Sequence, residues 1–324
     1  MERVYITHAN KKYLPVAHNL AKSIREFSDI PVVVYCIDVD VKDTYMFQNI
    51  PNVYTEIFQL DIEQPDFYPL SPSGNFYVPR HDAKSFNILS AKVLAMKHAL
   101  ESGWEQICYL DSDCIATPIV DELFDWIELV EDYPIGTKGI HEYMTIFEEG
   151  ISRGNPFEGC YPLSDNTKCL EWPLMNFMSM SPEQRGNYRT TGIMLMNNKC
   201  GDFLNLWWDL CKLLPKLVDI KYVAPYQEET VYNALLWKKG NVGFPLCYVN
   251  LVDGINTVKD LYMSEHKEGG FVNYIDGDFT KHFYKIPEDK RNIKVLHGEK
   301  LTTEMNKIVY FLKELQYNGY FESN

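Results

Sequence analysis

Ile107-Cys108-Tyr109-Leu110-Asp111-Ser112-Asp113 is the stretch on which the fold of this chain is decided. Four apolar residues lead directly into two carboxylates separated by one residue. A strand that leaves a core and presents acids at its C-terminal edge has this pattern. In α/β sheets, ligands bind beyond the carboxyl ends of the strands. Two carboxylates so close repel each other unless a positive group stands beside them. A divalent cation meets that need, because Mg²⁺ and Mn²⁺ favour hard oxygen ligands.

The flanking sequence alternates strand and helix patterns. Val4 to Ile6 reads as a strand, and Leu14, Ala17, Leu20, Ala21, Ile24 and Phe27 form one face of a helix with Pro15 in its first turn. Residues 31–37 are continuously apolar, as in a strand buried on both faces, so the chain opens β-α-β with an expected right-handed crossover. Residues 61–80 read as a loop. Asp82 caps a helix running to about Glu101, which Gly103 ends. After the acid-tipped strand, Pro118 and Asp121 open a short helix and a strand covers 133–138. Residues 141–188 show no clean period and read as one long functional loop. A strand over 191–196, a helix over 202–214 capped by Asp202, a helix over 227–237 and a strand over 241–249 follow. Residues 251–290 are irregular. A short strand over 293–296 leads into His297-Gly298, and Met305, Ile308, Val309 and Leu312 give the last helix an apolar stripe. With no repeat and no low-complexity linker, one α/β domain over 1–324 is the simplest organisation.

Composition excludes several function classes. The formal net charge is −14 over 324 residues, so a basic nucleic-acid-binding face is not expected and no nucleic-acid partner is assigned. An acidic chain that handles a phosphorylated substrate needs a local cation, which agrees with the acid pair. Aromatic residues reach 14%, a share suited both to carbohydrate sites and to core filling. The eight cysteines form no CxxC pair, so a zinc framework is not expected. Cys160 and Cys169 are spaced to bridge a loop, but free thiols are the expected state. The opening Met1-Glu2-Arg3-Val4-Tyr5 is strand-like, and no run has transmembrane length. A cytoplasmic protein without a transmembrane segment is the expectation.

The chain resembles the GT-A glycosyltransferases, the nucleotide-sugar-dependent transferases with a DxD motif. Within them it is similar to the glycogenin-like and lipopolysaccharide galactosyltransferase-like family 8. The resemblance runs in order along most of the chain. It rests on Val4-Tyr5-Ile6-Thr7, the helix with Lys84 and Lys92, and Leu110-Asp111-Ser112-Asp113. It continues in Thr191-Gly192-Ile193-Met194-Leu195-Met196-Asn197, Glu228-Glu229-Thr230-Val231-Tyr232-Asn233 and Val295-Leu296-His297-Gly298-Glu299-Lys300. It implies an α/β fold of GT-A (Rossmann-like) type: a mixed, mainly parallel sheet flanked by helices, with loop insertions in the C-terminal half. Residues 1–113 would form the nucleotide-binding half, 114–300 the donor-sugar and acceptor half, and 301–324 the C-terminal helix.

The implied activity is transfer of a hexose or N-acetylhexosamine from a nucleotide diphosphate sugar, with UDP expected, to a hydroxyl of a glycan or protein acceptor. Asp111, Asp113 and His297 would hold the cation, and an imidazole ligand favours Mn²⁺ over Mg²⁺. Charge developing on the departing diphosphate would be stabilised there. Thr7, His8 and Ala9 match the nucleobase segment, and Asp38 is a candidate partner for ribose or base. Arg80, Lys84, Ser112 and Lys300 are the remaining donor-binding candidates: a basic residue in the segment of Arg80 and Lys84 contacts the donor phosphates or sugar in the family, and Lys300 would reach a phosphate oxygen. Thr191 and Gly192 would let the sugar approach the backbone. Glu228 and Glu229 are the candidate catalytic acids, and Trp172 is the candidate acceptor-stacking residue in a loop that would close over the donor. The chain has Leu301-Thr302 where the family has Pro-Trp. It has Glu-Glu-Thr where the family has Asp-Gln-Asp, which leaves retention or inversion open.

Three other readings share parts of this pattern. Haloacid dehalogenase-like phosphatases carry Asp-x-Asp after a strand, but with Thr or Val where this chain has Ile115, and with the motif near the N-terminus. Sugar nucleotidyltransferases carry a glycine-rich loop after the first strand, and residues 7–12 here hold no glycine. A non-catalytic nucleotide-sugar or glycan-binding protein on the same fold would not need intact Asp111, Asp113 and His297.

Overall fold

Leu14, Ala17, Leu20, Ala21 and Ile24 recur at helical spacing, and in the computed structural model all five are buried on one face of a helix. The structure describes residues 2–60, 83–138, 171–181, 184, 189–217, 227–240, 251–252, 294–297, 305–317 and 319. The expected loop over 61–80 and the expected strand over 241–249 lie outside the described residues, as do Arg80 and Lys300 and the side chains of Lys84, Trp172 and His297.

The elements run in the order β1 (Arg3–Asn10), α1 (Leu14–Phe27), β2 (Val32–Ile37), a 3-10 helix (Val41–Phe47), β3 (Val53–Phe58), α2 (Ala83–Glu101), β4 (Gln106–Leu110) and β5 (Cys114–Ala116). There follow a second 3-10 helix (Val120–Leu129), β6 (Ile135–Lys138), α3 (Glu171–Phe177), β7 (Arg189–Asn197), α4 (Gly201–Leu217), α5 (Gln227–Lys238), β8 (Leu251–Val252), β9 (Val295–His297) and α6 (Met305–Tyr317). They group into two compact units. One holds Met1–Phe58, Glu105–Glu128 and Leu246–Asn324, the other Gln59–Trp104 and Leu129–Pro245.

In the first unit, β3, β2, β1 and β4 lie side by side and every pair is parallel. All six residues of β2 are buried, which is why its sequence is unbroken by polar residues. β3, which the sequence reading did not anticipate, exposes Tyr54 and Glu56 and half-buries Val53, Thr55 and Ile57. That alternation belongs to a strand with one wet face. Helix α1 packs on β1, β2 and β5 and also meets α6. The expected stripe of α6 is buried as Met305, Ile308, Val309 and Leu312, and Lys313 pairs with Glu26 of α1. A second, small sheet places β5 antiparallel to β9, with β8 parallel on the far side of β9.

In the second unit, β6 and β7 are antiparallel, with a register shift at Gly136/Thr137. Helices α2, α4 and α5 pack on one another, and α3 packs on α4 and α5. Their core is aromatic. The Trp207 and Tyr232 rings lie 5.1 Å apart, and Phe203 meets both rings edge-on. The buried Tyr232 hydroxyl is satisfied twice, donating to the Pro134 carbonyl at 2.8 Å and accepting from the Gly136 N–H at 2.9 Å.

Several expectations need correction. The stretch 141–188, read as loop throughout, contains helix α3. Seven residues are too few to show a 3.6-residue period, and Pro173 sits in the first turn, where proline is tolerated. Asp202 does not cap α4. The helix already starts at Gly201, continuous with a 3-10 turn whose cap is Asn197, the side chain of which accepts from the Lys199 N–H. The strand expected over 293–296 is shifted to Val295–His297, so His297 is itself a strand residue. Cys36, Cys108, Cys114, Cys200 and Cys211 are free and buried. Burial pushes the Cys36 thiol up to about 12, so it behaves as a small hydrophobe rather than a nucleophile.

Candidate functional site

Parallel strands bring their carboxyl ends to one edge, and the first group of candidate residues lies there. Thr7, His8 and Ala9 occupy the end of β1, Asp38 follows β2, and Asp111, Ser112 and Asp113 follow β4. Thr7 is buried and its hydroxyl oxygen has no hydrogen-bond partner, an arrangement that costs free energy. Ala9 is buried. Asp38 is exposed, with φ +52°. This left-handed conformation is tolerated by Asp better than by most residues, and the Asp38 N–H bonds to the Phe58 carbonyl at 2.8 Å.

Asp111, Ser112 and Asp113 are half-buried. The Cys114 N–H donates to the Asp111 carbonyl at 3.1 Å, closing a turn that feeds β4 into β5. The β5–β9 register then sets Cys114 opposite His297, so the His297 backbone faces the residue next to Asp113. Lys294 fixes this register. Its carbonyl accepts from both the N–H and the hydroxyl of Thr117, each at 3.1 Å, and its ammonium pairs with Glu122 at 2.8 Å. Among the described residues no three His, Cys, Asp or Glu side chains are gathered to hold a metal ion; the His297 side chain lies outside them. The donor set nonetheless fits a divalent cation. Two half-buried aspartates stand at a strand end, with an imidazole-bearing residue brought to the adjoining register position.

A hydrogen-bonded chain backs this turn. The Tyr109 hydroxyl donates to Asp111 Oδ1 at 2.6 Å and lies 2.9 Å from His8 Nδ1. Tyr109 was not among the candidate residues. Its signal was only the polar tip of an aromatic residue two positions before an acid.

The second group lies in the other unit. Thr191 and Gly192 are buried in β7, and Glu228 and Glu229 are buried in the first turn of α5, where the helix dipole favours negative charge. The two acids are held differently. Glu229 Oε2 accepts from the Thr191 N–H at 2.8 Å and from the Thr191 hydroxyl at 3.1 Å. Glu228 Oε1 pairs with Lys92 Nζ of α2 at 3.4 Å, both side chains being 3% exposed, while its Oε2 has no hydrogen-bond partner. Lys92 also donates to the Thr191 hydroxyl at 2.9 Å. Asn233 braces the cluster, bonding the Arg189 N–H and carbonyl and the Glu229 carbonyl. Trp207 Nε1–H donates to the Glu228 carbonyl at 2.8 Å. Glu229 is therefore committed to the β7 backbone, and Glu228 keeps an oxygen for other chemistry. Lys84 and Trp172 lie on α2 and α3 respectively. Trp172 is thus on a helix rather than in a loop.

No protein family matches the chain, and no curated protein does. Among solved structures, the chain is similar to an active-site mutant of LgtC at 13% identity, covering 94% of this chain and 95% of that chain with a TM-score of 0.50. It is also similar to the galactosyltransferase LgtC in complex with donor and acceptor sugar analogs, at 14% identity, with 98% and 99% coverage and a TM-score of 0.49. The likeness to the mutant shows the fold, which is the GT-A arrangement. The mainly parallel strand pairing agrees with it. Among the described residues no helix is long and apolar enough to cross a membrane.

Proposed function

We propose that this chain is a metal-dependent glycosyltransferase that moves a hexose or N-acetylhexosamine from a nucleotide diphosphate sugar, with UDP as the nucleotide, to a hydroxyl of a glycan or protein. One observation supports this reading: Asp111 and Asp113 stand on the turn after β4, and the β5–β9 register pairs the next residue, Cys114, with His297. In this reading residues 1–113 carry the nucleoside, with Thr7, His8, Ala9 and Asp38 as its contacts and Arg80, Lys84, Ser112 and Lys300 serving the diphosphate. Asp111, Asp113 and His297 hold Mn²⁺ or Mg²⁺, which when bound offsets the charge that develops on the departing diphosphate.

Residues 114–300 carry the sugar and the acceptor. Thr191 and Gly192 line the approach to the sugar, and Trp172 stacks on the acceptor. Glu228 is the acid that meets the reacting sugar or takes the acceptor proton, because its Oε2 is the carboxylate oxygen without a protein partner. Glu229 holds β7 in place for it.

Calorimetric titration of UDP with and without Mn²⁺, on wild type and Asp113→Ala, tests the reading. Binding that needs Mn²⁺ and disappears in the variant is expected. Equal binding without the cation would overturn the metal assignment, and failure to bind UDP or GDP under any condition would overturn the transferase reading.

A further inference from the structure

The register of β1 on β4 pairs Ile6 with Tyr109. His8 and Asp111 each lie two positions further along their strands, and alternation along a strand returns them to the face that carries Tyr109 and Ile6. Tyr109 is fully buried and His8 is 7% exposed. A buried phenol needs partners for its proton and its lone pairs, and here it has both. Its single proton is given to Asp111 Oδ1 across 2.6 Å, within the range of charge-assisted O–H···O⁻ bonds. Towards His8 the hydroxyl can then only accept, so the bond of 2.9 Å requires the proton on His8 Nδ1.

Rested on the proposed metal-dependent function, this arrangement has a consequence. We infer that Tyr109 and His8 are positioning residues, which together hold the Asp111 carboxylate in the orientation that receives the divalent cation. A carboxylate on a turn rotates about its side-chain bonds, and a ligand that must be frozen at the moment of binding weakens affinity. The Tyr109 bond removes that rotation in advance, and the His8 N–H fixes the direction in which the phenol points. Partners behind a metal ligand commonly account for about 10–100-fold in metal affinity. A phenylalanine would fill the same core space without supplying the bond, so the hydroxyl itself is what the inference concerns.

The test uses Mn²⁺ alone on the full chain, with the free ion followed by its electron paramagnetic resonance signal. Tyr109→Phe is expected to weaken Mn²⁺ binding by about 10–100-fold while its urea unfolding in EDTA remains cooperative. His8→Leu is expected to weaken it in the same direction. His8→Asn, whose amide N–H takes the place of Nδ1–H, is expected to retain most of the wild-type affinity. If Tyr109→Phe fails to fold, the His8→Leu and His8→Asn pair decides the matter, and equal affinity in both would overturn the inference. A folded Tyr109→Phe that binds Mn²⁺ as wild type does would overturn it and leave the proposed function standing. A wild type that binds no Mn²⁺ would overturn this inference, while the UDP titration would still decide the function.

Discussion

Lys92 stands among Ala91, Val93, Ala95 and Met96, all buried, and answers its own burial with Glu228 and Thr191. Removing one partner of a buried ion pair leaves an uncompensated charge, whereas replacing both by apolar groups is often close to neutral. Lys92→Met is therefore expected to destabilise the chain by about 3–5 kcal/mol in urea denaturation. Combining it with Glu228→Leu is expected to recover part of that loss; a double variant less stable than the single one would contradict the pairing. At this scale the sequence was partly legible. The acids Asp111, Asp113, Glu228 and Glu229 stand out because carboxylates after an apolar run or opening a helix are visible in one dimension. Lys92 did not register as a site residue, because a cation on an inward helical face is read as an interruption until its acid, far along the chain, is brought to it.

His18 shows the same logic for an element. It lies half-buried on α1, with its ring edge-on to Phe47 of the first 3-10 helix at 5.6 Å. Burial holds its imidazole below the ordinary value of 6.5, and the charge of Lys22 adds to this, while hydrogen bonds to Asn19 and the Met46 backbone work the other way. The folded state therefore prefers the neutral ring. That contribution is fully present above about pH 6.5 and is lost as pH falls through the depressed folded value. His18→Gln is expected to show a smaller drop in urea midpoint between about pH 7 and pH 5 than wild type; an equal drop would place the pH dependence elsewhere. Elements with a full period, such as α1 and α6, were readable from their apolar spacing. Those too short to show one, such as α3 and β5, were not, because their place is set by what they pair with. β3 is the exception. Its alternation is visible in Val53-Tyr54-Thr55-Glu56-Ile57.

At the scale of the whole molecule, neither compact unit is a continuous stretch of chain. The first unit is completed only by residues after 245, which supply β8, β9 and α6. Burial of a large aliphatic side chain is worth roughly 1.5–3 kcal/mol, and α6 buries Met305, Ile308, Val309 and Leu312. Their combined loss would rival the total stability of an ordinary domain, about 5–15 kcal/mol. A chain ended at residue 245 is accordingly expected to lose the near-ultraviolet circular dichroism of packed aromatics in this unit, and full retention of that signal would contradict the architecture. The pairing of Cys114 with His297 also places the site in time. The strand that follows the acids, β5, leaves the ribosome about 180 residues ahead of β9, the strand that faces it. At roughly 5–20 residues per second, that is a wait of about ten to forty seconds. Through that interval β5 waits without β9, its strand partner among the described residues, so the growing chain carries Asp111 and Asp113 on a turn braced from one side until a much later segment arrives.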